Sequence, residues 1–183
     1  MASNYIQDHN RLFGDLTAAL SRDLARLSSE ANGGRSILFV YPPEDEEKYI
    51  EEAKKRYTDG YEFIDLRELF TEFVDSKGFD KFKRQFKNMG TEVFVSQNYS
   101  EGTFYSHLMK RVVEVSSKGV SPVLVHTGVI YKMGFSNQNI MEDPNVMKFQ
   151  NPLVFFYPAT LKNDTIYFLD KQPASKYRCV VVI

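Results

Sequence analysis

The chain has 183 residues, 43% of them apolar, with fifteen Phe, eleven Tyr and no Trp, enough for one domain with a substantial core and no reason to divide it. A formal net charge of -1 supplies no overall field for holding a nucleic-acid backbone or an anionic membrane, so only a local patch could serve either. The single cysteine, Cys179, excludes an internal disulfide and a cysteine cluster for zinc; no stretch approaches the ~20 apolar residues of a membrane span or the pattern of a secretory leader, so a cytoplasmic protein is expected.

A leading amphipathic helix is predicted from Tyr5 to Ser28, with Asn4 as N-cap and Gln7 completing a capping box. Leu12, Leu16, Leu20, Leu24 and Leu27 form its apolar stripe. Asn32-Gly33-Gly34 ends it, so residues 1–32 precede an α/β core spanning 36–183 within one domain, 1–183. Ile37 to Tyr41 is an unbroken apolar run that reads as a strand buried on both faces. Pro42 and Pro43 stop it, and Glu44, Asp45, Glu46 and Glu47 then fill the first turn of a second helix, where the dipole favours carboxylates. Tyr49, Ile50, Ala53 and Tyr57 place that helix on the sheet.

A second strand is expected from Tyr61 to Leu66, then a helix through Leu69, Phe70, Phe73 and Val74. The next helix carries Phe79, Phe82, Phe86 and Met89 at helical spacing, with Lys81, Lys83, Arg84 and Lys87 between them. That spacing assigns the Phe residues to the core and leaves the cations solvated. Residues 91–102 read as irregular. Another helix runs through Phe104, Leu108, Val112 and Val115, and Pro122 to Thr127 is a third strand followed by Gly128. A short helix around Asn137 to Glu142 leads to a fourth strand, Pro152 to Tyr157, stopped by Pro158. The short connections that follow imply that Thr165 to Asp170 and Tyr177 to Ile183 are antiparallel edge strands, since a parallel return needs a crossover of about a dozen residues.

The expected fold is therefore α/β: a Rossmann-like three-layer sandwich with a mostly parallel sheet in the order 2-1-3-4 and two C-terminal antiparallel edge strands. In such a sheet the crevice for a ligand or partner lies at the carboxyl ends of the first and third strands, at Tyr41, Pro42, Pro43 and Glu44 facing His126, Thr127 and Gly128. A nucleotide fits poorly there. Two prolines delete two amide donors and four carboxylates follow, where a phosphate site uses a glycine-rich amide nest. No cofactor or metal is expected.

His126 is the one histidine placed for acid–base work, with Glu44 or Asp65 to orient it, yet no serine or cysteine nucleophile accompanies it. A half-buried histidine satisfied by backbone is the more frequent outcome for such a residue. Lys83, Arg84 and Lys87 are the residues that would touch phosphates, and direct nucleic-acid binding is the minority reading. The apolar C-terminal strand needs cover, either from the leading helix or from another protein.

The order of these motifs resembles the BrxB-like proteins of bacteriophage-exclusion (BREX) systems. The likeness runs from the leading helix and the strand ending in Pro42-Pro43-Glu44 through Asp65-Leu66 with Phe70 and Phe73, then Thr127-Gly128 and Gly134-Phe135. It closes on Leu153-Val154-Phe155-Phe156-Tyr157-Pro158 and the strand carrying Leu169-Asp170. The resemblance implies a non-enzymatic adaptor, with no catalytic residues to carry over. Its partners would come from the same operon: a large ATPase, an alkaline-phosphatase-like protein and a DNA methyltransferase.

Overall fold

The computed structural model describes residues 2–95 and 102–183. Unbroken apolar runs send side chains to both faces of a parallel sheet, so both faces are covered, and here the result is an α/β sandwich of three layers. The sheet order is β2 (Tyr61–Asp65), β3 (Ser121–Val125), β4 (Leu153–Lys162), β1 (Ser36–Tyr41), β7 (Cys179–Val182), all parallel. A hairpin extension, β5 (Thr165–Phe168) and β6 (Gln172–Pro173), pairs antiparallel on the far half of β4.

On one face lie α1 (Ala2–Leu20), α2 (Leu24–Glu30) and α3 (Glu46–Arg56). Phe13, Leu16, Tyr49, Ile50 and Ala53 pack there on Ile37, Phe39, Tyr41, Val154, Phe156, Val180 and Val182. The core of this face is aromatic: Phe39 meets Phe156 with centroids 4.8 Å apart, and Tyr41 stacks on Tyr49 at 5.0 Å. On the other face α4 (Leu66–Lys77), α5 (Phe79–Met89), α6 (Phe104–Ser117) and α7 (Asn137–Met141) cover Leu38, Val40, Ile64, Leu124, Phe155 and Tyr157.

Several expectations are corrected. The order is not 2-1-3-4, because β4 inserts between β3 and β1 and the α3 crossover spans two strands before β2. Right-handedness fixes which face a crossover takes and leaves the number of strands it skips free. The last strand runs parallel to β1, with Ser36 opposite Cys179. Residues 174–178 carry the chain back to the start of β1, where the Arg178 guanidinium donates to the Asn32 carbonyl (3.0 Å). Residue Gly34 is needed there, since a Cβ would stand 1.9 Å from the Arg178 carbonyl oxygen.

Pro158 does not end β4. It sits opposite Tyr41 at the last rung shared with β1, where a missing amide hydrogen costs little, and its carbonyl still accepts from the Leu169 amide (2.9 Å). The leading helix is two helices that begin at Ala2, so Asn4 lies inside the first turn. Asp23 caps the second by accepting from the Arg26 amide (2.8 Å). Val93 enters a 3-10 turn over Gly90–Val93, and residues 96–101 of the stretch expected to be irregular lie outside the described residues. The C-terminal strand is covered from within, by α1.

Candidate functional site

Strand β3 ends at Val125, and His126 turns the chain in the left-handed region (φ 53°, ψ 40°), a conformation His adopts more readily than most non-glycine residues. Its neighbour in the sheet is Asp65, the last residue of β2, opposite Val125. Asp65 caps α4: one carboxylate oxygen accepts from the Arg67 amide at 2.9 Å and the other faces His126 Nδ1 at 2.8 Å. Glu47, from the first turn of α3, reaches the opposite ring nitrogen, Nε2, at 3.1 Å. The Arg67 guanidinium closes the circuit, donating to Glu47 and to Asp65 at 3.2 Å each.

Two ionised carboxylates can only accept, so this ring is complete when both imidazole nitrogens carry hydrogen. Burial works to raise the Asp65 carboxyl, but the side-chain and backbone hydrogen bonds from Arg67 and the charge of His126 outweigh it, and Asp65 titrates below the usual carboxylate range. One helix position earlier, Glu46 accepts from the Tyr41 hydroxyl (2.9 Å), and burial holds it above that range.

The expected crevice is partly assembled. Asp65 meets His126 as anticipated, but Glu44 is exposed on the 3-10 turn Pro43–Asp45 and Glu47 takes the orienting place. Tyr41 and the Pro42-Pro43 turn sit beside β4, which separates them from His126, Thr127 and Gly128. Thr127 is buried and donates to the Phe156 carbonyl (2.6 Å), while the Leu169 side chain lies 3.6 Å from where a Cβ on Gly128 would stand. The His126 side chain is only 5% exposed and both its nitrogens are engaged. A general base needs a free lone pair, so in this arrangement the cluster ties the starts of α3 and α4 to the end of β3. Nor does it chelate: the carboxylates lie on different sides of the imidazole, and no three His, Cys, Asp or Glu side chains converge to hold a metal among the described residues.

A different surface departs further from expectation. Phe79, Phe86 and Met89 of α5 are not core residues; they are 66%, 46% and 47% exposed. Phe82 alone turns inward, against Phe70 and Phe73 at 6.1 and 6.2 Å. At 100° per residue, Phe79, Lys83, Phe86 and Lys87 fall on one outward edge. Lys81, Lys83, Arg84 and Lys87 are exposed, and among the described residues none pairs with a carboxylate.

Arg67 does not figure in the sequence-based expectation, and Glu47 figures there only as one of the carboxylates that open the second helix. Glu46 shares the sheet-facing arc of α3 with Ile50 and Ala53 by helical spacing, whereas Glu47 stands about 100° away from it and Glu44 precedes the helix. A cavity of about 760 Å³ also opens between α6 and α7, beside Tyr105, Met109, Glu142 and Asp143. Asp143 is spent there on the Tyr105 hydroxyl and on Asn145. Comparison with family models, with curated proteins and with solved structures finds no match.

Proposed function

We propose that the chain is a non-enzymatic cytoplasmic adaptor of a bacterial phage-defence assembly of the BREX type. It binds protein partners from the same operon, the ATPase or the alkaline-phosphatase-like protein first among them. The observation that carries this reading is the uncovered aromatic edge of α5, with Phe79 two-thirds exposed. A phenyl side chain left in water forgoes about 1.5–3 kcal/mol of burial, and aromatic residues are enriched at interface cores. The motif order, from the Pro42-Pro43-Glu44 turn to the Leu153–Pro158 block, supports the choice of assembly. The test is affinity capture of the tagged chain from cells expressing the whole operon, at about 0.15 M salt. A stoichiometric operon partner is the expected result, and recovery of the chain alone would contradict the adaptor role.

One observation favours a second reading. With Glu47 swung into solvent, where 64% of its side chain already lies, Asp65 and His126 would form a carboxylate–imidazole pair with Nε2 facing outward. A thermal-shift screen against small ligands decides it, because a ligand at 100 times its Kd raises stability by about 2.7 kcal/mol. A shift abolished by His126→Gln would establish the crevice as a ligand site, and a flat screen would leave it a structural tie.

A further inference from the structure

The α5 edge has a chemistry that narrows its occupant. Phe86 is a backed platform, stacked on Phe82 (6.3 Å, 13° between planes) and braced by Phe94 at 5.5 Å. Phe79 stands one turn beyond Lys83 on the same edge, and Lys83 and Lys87 alternate with the two rings. Four cations on the helix face a single acid, Asp80. An anionic partner with apolar residues at helical spacing would neutralise the lysines and cover the rings together.

The surroundings set the partner's size. The eleven residues of α5 extend about 16 Å. Exposed carboxylates stand on the neighbouring elements, Glu68, Glu72 and Asp75 on α4 and Glu92 on the turn that follows α5, while Lys77 ends α4 just before Phe79. A long polyanion or an anionic bilayer spreading past α5 would meet these carboxylates as well as the lysines, whereas a short segment with spaced acids engages the α5 cations alone.

We propose that the α5 edge docks an acidic amphipathic helix of a partner protein. Its apolar stripe covers Phe79 and Phe86, and its carboxylates meet Lys83 and Lys87. The proposal rests on the adaptor reading and names the chemistry of the segment that reading requires.

The test uses the full chain and a labelled helical peptide of Glu and Leu, about twenty residues long so that it can hold a helix, followed by fluorescence anisotropy. The wild-type chain binds the peptide. Phe79→Ser with Phe86→Ser, and Lys83→Glu with Lys87→Glu, each weaken binding by about tenfold or more, and the charge-reversed chain gains affinity for a Lys and Leu version. Unchanged melting temperatures show that both variants remain folded. Absent binding by the wild type, or equal binding by all three chains, overturns the proposal. So does preference of the wild type for a thymidine oligonucleotide or for phosphatidylglycerol vesicles, lost in the same variants. Capture from cells carrying the operon separates the two claims. A wild-type chain that recovers no partner ends the adaptor reading and leaves the peptide result to judge the edge. A partner recovered equally by wild type and variants keeps the adaptor and removes α5 from it.

Discussion

Asp65 ends β2, caps α4 and holds His126 with one carboxylate, so its titration reports on three elements together. An acid held below its usual value in the fold stabilises the folded state above the unfolded value, and that stabilisation is lost as pH falls through the folded one. Glu46, held above the usual range by burial first and by Glu47, works in the opposite sense, gaining its proton more readily in the fold. Asp65→Asn keeps an N-cap and removes the charge. It is therefore expected to flatten the fall in melting temperature between about pH 5 and pH 2, measured by circular dichroism. An unaltered profile would show that the ring of charges contributes nothing to stability.

Cys179 gives a second residue-scale prediction. Burial pushes its thiol up to about 12, and the Sγ donates to the Lys176 carbonyl at 3.4 Å. At pH 8 the native chain should resist iodoacetamide and label only after unfolding; rapid native labelling would mean that β7 opens.

At the scale of elements, α5 and β4 are opposites. Phe156 of β4 is fully buried and touches Phe39 at 4.8 Å, so Phe156→Ala should cost about 3–5 kcal/mol in denaturant unfolding. Phe79, with most of its ring in water, should change stability by no more than about 0.5 kcal/mol when replaced by Ser. Equal losses would mean that the α5 edge is part of the core.

Nothing in the periodicity of α5 separates these cases, because helical spacing shows that a helix has an apolar face and is silent on what covers it. The same limit applies to the sheet. Ile37–Tyr41 and Leu153–Tyr157 were legible as buried strands from their apolar runs, but their adjacency came from an α3 crossover that skips two strands. The direction of β7 came from the path of residues 174–178, held at Arg178 and Gly34. His126 and Asp65 were legible as partners because both close parallel strands, and Glu47 was hidden among four consecutive carboxylates.

For the whole molecule, the sheet is closed on both faces, the C-terminal strand is covered by α1, and β4 stands between the ends of β1 and β3, where Thr127 donates to the Phe156 carbonyl. Among the described residues the large apolar side chains left outward include Leu161, Tyr177 and Ile183, and on α5 Phe79 and Phe86 stand beside cations that pair with no described carboxylate. The most direct measurement of the proposed defence role is the plating efficiency of a phage on cells carrying the operon, with expression of each variant verified. Protection should be lost with Phe79→Ser and Phe86→Ser together and retained with His126→Gln; protection that survives the first change and fails with the second would contradict the account.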